Sequence, residues 1–337
     1  MSKQVLLFCF LFCSSVLLSA QYKVEGTVFD FSTKLPLEGV SVFYDGTSIG
    51  TITNQKGKFT LVSDKQISAL LVISYIGYKT QMFSKPSNDL GLVYLIENAV
   101  QLDEVVMEPD TWSREKKLNI FRQEFLGTTM PALQCKIKNE KDIRLYYNKA
   151  KNTLFAYAEV PIQIQNNYLG YKIEYNLMDF EVNFGNFIGD DKKPGYTYTA
   201  GTLFFSELNT KKVKKKYLEN RSKTYLGSTL HFMRALANKR LDEEKFQIFK
   251  DKFQIHPYVE FDIHFNGQLS EVNQKTKLLS ILYDGREQSS IEVHVDTFYI
   301  DYYGNHSPSK DIFFGGVQGG QRVGNLLPLD YLINSMD

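Results

Sequence analysis

The chain has 337 residues, of which 43% are hydrophobic and 23% charged, enough to bury a core and too many for one small domain. Lys and Arg number 39 against 38 Asp and Glu, so no bulk field draws the chain to a polyanion, and a nucleic-acid partner is not expected. The composition points to a compartment and an architecture and specifies no reaction.

Residues 1–20 read as a secretory signal peptide, with Lys3 as the positive region, an apolar run over 5–18, and the small residues Ser19 and Ala20 before the cut. The run is shorter than the roughly 20 residues a membrane-spanning helix needs. Cleavage removes one Lys and leaves 38 basic against 38 acidic residues. It also removes Cys9 and Cys13, so Cys135 remains alone and no intramolecular disulfide is expected. Beside Leu133 and Ile137, Cys135 reads as a small buried hydrophobe. The expected location is the periplasm or the outer membrane, including peripheral association with it.

Residues 21–107 show short β-rich runs broken by turn residues every eight to twelve positions, the pattern of a compact all-β sandwich. Val24, Val28, Val40, Val42, Ile52, Phe59, Leu61, Leu71, Ile73 and Tyr75 are its expected core. Asn54-Gln55-Lys56-Gly57 reads as a hairpin connection, because Asn bonds its own backbone and Gly takes positive φ. Ile76-Gly77 reads as a second tight turn.

These residues carry a resemblance. Gly26-Thr27-Val28, Leu35-Pro36-Leu37-Glu38-Gly39-Val40, Gly50-Thr51-Ile52-Thr53-Asn54 with Gly57 and Phe59, and Ile73-Ser74-Tyr75-Ile76-Gly77-Tyr78 together resemble the carboxypeptidase-like regulatory domain of exported Gram-negative proteins. Asn54 stands where that family usually carries Asp and keeps the turn-capping chemistry. The resemblance implies a seven-stranded transthyretin- or immunoglobulin-like sandwich, and it implies no peptidase activity, since the module accompanies a separate catalytic domain in the metallocarboxypeptidases. The module also stands before TonB-dependent outer-membrane receptors, followed by a segment similar to Leu102-Asp103-Glu104-Val105-Val106, which here reads as an edge strand or linker. The 231 residues after Val106 are too few for a plug and a 22-stranded barrel at about ten residues per strand.

Residues 108–337 read as a larger antiparallel β-rich α+β domain with a helical insert. Thr111 is expected to cap a helix over 112–126 with Leu118, Phe121, Phe125 and Leu126 on its apolar stripe, ended by Gly127. Strands follow over 142–147, 153–160, 171–182, 196–206, 253–265, 277–284 and 291–303. Along 171–184 the apolar set shifts from odd to even positions, which predicts a bulge or a sheet switch near Met178 and argues against a lipid-facing barrel strand. The insert, about 210–245, opens with five lysines in the six positions 211–216, read as a solvated face, and buries Leu226, Leu230, Met233 and Ala237 by helical spacing. Phe125-Leu126-Gly127, Cys135, residues 166–175, Asn220-Arg221, Tyr225-Leu226-Gly227-Ser228 and His231-Phe232 resemble the region that follows the regulatory module in a class of exported proteins. That resemblance supports the layout and nothing catalytic.

No catalytic residue and no metal or cofactor site is expected. None of His231, His256, His264, His294 or His306 opens a His-x-x-Glu zinc motif. His264 or His294 with Asp296 could share a strand face and assemble a metal site. Ser228 and His231, three apart on a helix, lack a nucleophile elbow and an orienting acid. Gly315-Gly316 and Gly319-Gly320 read as a flexible hairpin rather than a phosphate loop. Candidate binding residues are Arg221, Tyr225, His231, Arg234 and Trp112, with Arg221, His231 and Arg234 also placed to anchor the helix to the sheet. The leading reading is a non-enzymatic exported binding or assembly component with a protein partner in the envelope. The alternatives are a hydrolase using His264, His294 and Asp296, and a carbohydrate-binding accessory protein that takes an exported glycan on coplanar exposed Tyr or Trp rings.

Overall fold

The computed structural model describes residues 22–64, 66–98, 112–185, 194–209 and 211–331. The signal peptide and residues 102–106 lie outside the described residues. The fold is mainly β, with helices confined to the connections.

Seven strands form the N-terminal sandwich: β1 Tyr22–Asp30, β2 Ser41–Tyr44, β3 Gly50–Ile52, β4 Lys58–Ser63, β5 Leu71–Ser74, β6 Gln81–Phe83 and β7 Asp89–Leu95. One sheet has the order β4-β1-β7 and the other β3-β2-β5-β6. All pairings are antiparallel except β1 with β7, which is parallel. Alternation sets the core: in β4 Phe59, Leu61 and Ser63 point inward while Lys58, Thr60 and Val62 face out. The expected core residues are buried there, with two departures. Ile52 is exposed at the sheet edge, and Tyr75 packs only at the margin. The Asn54–Gly57 turn forms as expected, Asn54 Oδ1 accepting from Lys56 N and Lys58 N, with Gly57 at φ 71°. Its flanking strands β3 and β4 belong to different sheets, so the turn is a corner between layers and not a hairpin within one.

In the C-terminal part the helix is Arg114–Leu126, two residues later than its expected start, and its cap is Ser113, whose hydroxyl accepts from Lys116 N. Gly127, at φ 98°, ends it. Its buried Phe121, Phe125 and Leu126 pack on a sheet of β8 Cys135–Ile137, β9 Ile143–Asn148, β10 Thr153–Ala158, β11 Ile162–Asn166, β12 Tyr171–Asn183 and β13 Tyr196–Glu207. The path β8-β11-β12-β10-β9 is extended by β13 on β12. The β12–β13 register shifts between Leu177 and Asp179, leaving Met178 exposed at a bulge, so of the two expected ways to shift the apolar set the strand uses the bulge and stays in one sheet.

The insert is two helices, Lys215–Tyr225 and Thr229–Ala237. Gly227, at φ 77°, and the cap Ser228 break them, so Leu226 is exposed while Met233 is buried as expected. The second helix covers a further core between a sheet ordered β15-β14-β18-β19-β22 and one ordered β16-β17-β20-β21. These strands are β14 Phe246–Lys250, β15 Phe253–Ile255, β16 Phe261–Phe265, β17 Ser270–Gln274, β18 Leu278–Tyr283, β19 Glu287–Val293, β20 Phe298–Ile300, β21 His306–Ser307 and β22 Ile312–Gly315. Two expected single strands are each split. Pro257 opens a helical turn that separates β15 from β16, and residues 294–297 separate β19 from β20, which join different sheets. The Gly315–Gly320 stretch is a packed helical turn with Gln318 buried beneath it rather than a loose hairpin.

Candidate functional site

Four of the five sequence-selected residues lie on the helical insert. Arg221 is 3% exposed and forms a fork with Glu207, Nη1 donating to Oε1 at 2.8 Å and Nη2 to Oε2 at 2.7 Å. Its Nε donates to Leu169 O at 2.7 Å, and its guanidinium lies 3.7 Å from the Tyr171 ring centroid. Asn220 Nδ2 adds a bond to Tyr168 O. These contacts pin the first insert helix across the turn between β11 and β12.

Tyr225 is buried, with its ring 4.8 Å from His231 and 5.7 Å from Tyr331. His231 accepts at Nδ1 from Gly227 N at 3.1 Å, which leaves Nε2 to carry the proton toward Glu244 Oε2 at 3.2 Å. Burial holds the imidazole below its ordinary value, against the opposing pull of Glu244. Ser228 is the helix cap that accepts from His231 N, so the two residues are held in a capping arrangement. Trp112 lies apart from this group. It stacks on Tyr147 at 3.8 Å and 3°, with Phe184 on its edge and Lys116 over its face.

Arg234 reaches furthest. Nε donates to Tyr303 O at 2.9 Å, Nη1 to Tyr331 O at 2.6 Å and Nη2 to Leu329 O at 2.8 Å. Both segments it holds touch the sandwich. Tyr303 is buried in the sandwich core, and Leu329 N donates to Gly46 O at 2.7 Å. Ser48 N donates to Asp330 Oδ1 at 2.7 Å, and the Ser48 hydroxyl bonds the other carboxylate oxygen.

The turn between β2 and β3 completes the junction. Gly46 N donates to Leu203 O at 2.8 Å, Phe205 N donates to Thr47 O at 3.0 Å, and Asp45 Oδ1 accepts from Leu203 N at 2.7 Å. This turn thus pairs with the outer edge of β13, with Phe43 packed on Phe204 at 5.2 Å. Burial pushes the Asp45 carboxyl up to about 6. Burial also raises Asp301, whose oxygens accept from Ser68 of the sandwich and from Tyr303 and Asn305.

The junction encloses a cleft of about 1050 Å³. Tyr22 and Lys85 of the sandwich face Gln268, Tyr299, Asn305 and His306 of the C-terminal part across it. A smaller pocket of about 160 Å³ shares Asn305 and His306 and continues to Ser228 and Gln321. His306 therefore lines both. Its ring forms no hydrogen bond among the described residues and meets Phe314 at 6.1 Å, and burial pulls it down to about 4, so it is neutral at ordinary pH. A neutral imidazole among amides, hydroxyls and tyrosines offers donors and acceptors to a polar ligand.

The residues weighed for hydrolysis do not meet. His264 is on β16, His294 follows β19 in another sheet and bonds Glu292 at 2.8 Å, and Asp296 is exposed in the link to β20. None of the three lines either cavity. Among the described residues no group of three His, Cys, Asp or Glu is placed to hold a metal. Burial pushes the Cys135 thiol up to about 12, away from thiolate reactivity. The sequence reading missed the junction. The turn Asp45-Gly46 is legible as a turn, but its partners lie more than 150 residues away.

Residues 24–107 match the CarboxypepD_reg-like domain family. The chain is also similar to TonB-dependent receptor P39 of Formosa agariphila, with 38% identity over 92 residues, which are 27% of this chain and 8% of the receptor. The chain therefore spans a small fraction of that relative's length. Sandwich, turn pattern and match agree, and the N-terminal part of this chain is a CarboxypepD_reg-like domain.

Proposed function

We propose that the protein is a non-enzymatic exported binding or assembly component of the cell envelope, acting at the outer membrane or in the periplasm on a protein partner. The observation that carries this reading is the junction. The regulatory-like sandwich is not tethered at a distance but forms one wall of the cleft, held by Asp45, Gly46, Thr47 and Ser48 on one side and Asp301, Tyr303 and Asp330 on the other. Similarity of the sandwich to part of a TonB-dependent receptor supports the envelope as its setting. The near balance of 39 basic and 38 acidic residues favours a partner bound by shape and hydrogen bonds over a polyanion.

The test is a pull-down from outer-membrane extract with residues 21–337, its Tyr299→Ala variant as the cleft control, and metal content read on the same samples. A stoichiometric envelope protein retained by the parent and lost with Tyr299→Ala supports the reading. Bound zinc with no partner overturns it in favour of a metal-dependent hydrolase, and a partner retained equally by the variant removes the cleft from the account.

A further inference from the structure

The solvent face of the β12–β13 sheet carries a second feature, independent of the cleft. Register places Tyr146 of β9 opposite Phe155 of β10, Phe155 opposite Glu181 of β12, and Glu181 opposite Tyr198 of β13. The four side chains form one row across four adjacent strands. Leu154 and Val182, on the opposite face, are buried, so the row faces outward. Tyr157 (46% exposed) and Tyr196 (54%) flank it, and Tyr198 is itself 51% exposed. With strands about 4.8 Å apart, Phe155 and Tyr198 stand roughly 10 Å apart and the row runs roughly 14 Å.

The same sheet face is closed at its other end by the sandwich, and the contrast identifies the occupant. There the cover is apolar, Phe43 on Phe204, with Gly50 so close that a side chain would meet the Phe204 ring at 2.6 Å. The open end instead sets the Glu181 carboxylate between rings, with Tyr196 donating to it at 3.2 Å and Asp179 exposed beside it. A lipid surface or an apolar protein face would desolvate that carboxylate without repayment in hydrogen bonds. An anionic partner would meet Glu181 and Asp179 directly, while the cations nearest the row are already engaged, Arg144 with Glu159 at 2.9 Å and Lys151 over the Phe155 ring at 5.9 Å. A polyhydroxylated chain satisfies both halves, since its C–H faces cover rings and its hydroxyls donate to carboxylate oxygens.

We propose that this row is a binding platform for an uncharged polysaccharide, with Tyr146, Phe155 and Tyr198 as stacking rings and Glu181 as the acceptor between them. The test is native affinity electrophoresis of the full chain in gels carrying soluble xylan, galactomannan or mixed-linkage β-glucan. At least one polymer retards the parent. Tyr198→Ala, at an exposed stacking position, weakens that retardation about tenfold, as truncation of an aromatic anchor does, and Tyr157→Ala, at the flank of the row, weakens it less. Glu181→Gln weakens it less, and Phe253→Ala, at an exposed ring in another sheet, leaves it unchanged. No retardation by any of the three polymers overturns the proposal, as does retardation indifferent to Tyr198→Ala, or binding to neutral lipid vesicles in their place. Tyr299→Ala, which probes the cleft, leaves the retardation intact, so the two sites fail separately.

Discussion

The Arg234 guanidinium donates to the carbonyl of Tyr303 at 2.9 Å, while the ring of that same tyrosine is buried in the core of the N-terminal sandwich. One residue on an insert helix thereby fixes a segment that the N-terminal sandwich closes around. Replacing Arg234 by Ala orphans three carbonyls, at about 1 kcal/mol each, and is expected to cost roughly 3 kcal/mol in urea unfolding. Hydrogen exchange at Gly46 and Ser48 should rise in the same variant. Tyr303→Phe should be near neutral, because Arg234 uses the main chain of Tyr303.

The Arg221–Glu207 fork behaves as a buried pair on one side only, Arg221 being 4% and Glu207 34% exposed at the side chain. Arg221→Ala should destabilise by about 2–3 kcal/mol, since it leaves the buried Leu169 carbonyl without its donor and removes the guanidinium from the Tyr171 ring, while Glu207, partly exposed, is resolvated. Arg221→Lys should recover little, because an ammonium cannot reproduce the fork or the stack on Tyr171. Thermal unfolding of the two variants side by side checks both statements.

Gly201 shows how closely β13 is packed. A Cβ there would overlap Asn176 O on the paired strand and the ring of Tyr175. Gly201→Ala should cost about 1–3 kcal/mol through forced displacement of that ring. The variant should also loosen the sandwich, whose Asp45 turn bonds the neighbouring Leu203, and amide exchange at Leu203 reads this.

The sandwich and the bulge at Met178 are legible because burial on one face writes itself into alternating residues. Gly127 is legible as a stop for the same local reason. Helical spacing of Leu226, Leu230, Met233 and Ala237 carries the expected insert through Gly227-Ser228, although Gly at a helix end followed by a Ser cap is itself a boundary signal. The splits at Pro257 and at residues 294–297 follow from sheet membership, which depends on partners distant in sequence. The junction is of that kind throughout. Asp45, Asp330, Arg234 and Tyr303 carry no common motif, and only the fold brings them to one place.

Asp45 and His306 set opposite pH dependences at the junction. Burial raises Asp45 from 3.8 to about 6, so the folded state binds its proton more tightly and stability from this group falls as pH rises from 3.8 to about 6. Burial lowers His306 from 6.5 to about 4, so the unfolded state binds that proton more tightly and stability from this group is present above 6.5 and lost as pH falls toward 4. Between pH 4 and 6 the two slopes oppose each other in the parent protein. Asp45→Asn keeps an acceptor for Leu203 N and removes one slope, so the melting temperature of the variant should climb with pH across that window and exceed the parent's at pH 7. His306→Gln removes the other, so its melting temperature should fall from pH 4 to pH 6. Parallel pH profiles for the parent and both variants would show that neither group titrates at the junction, and the pair would then have no part in its stability.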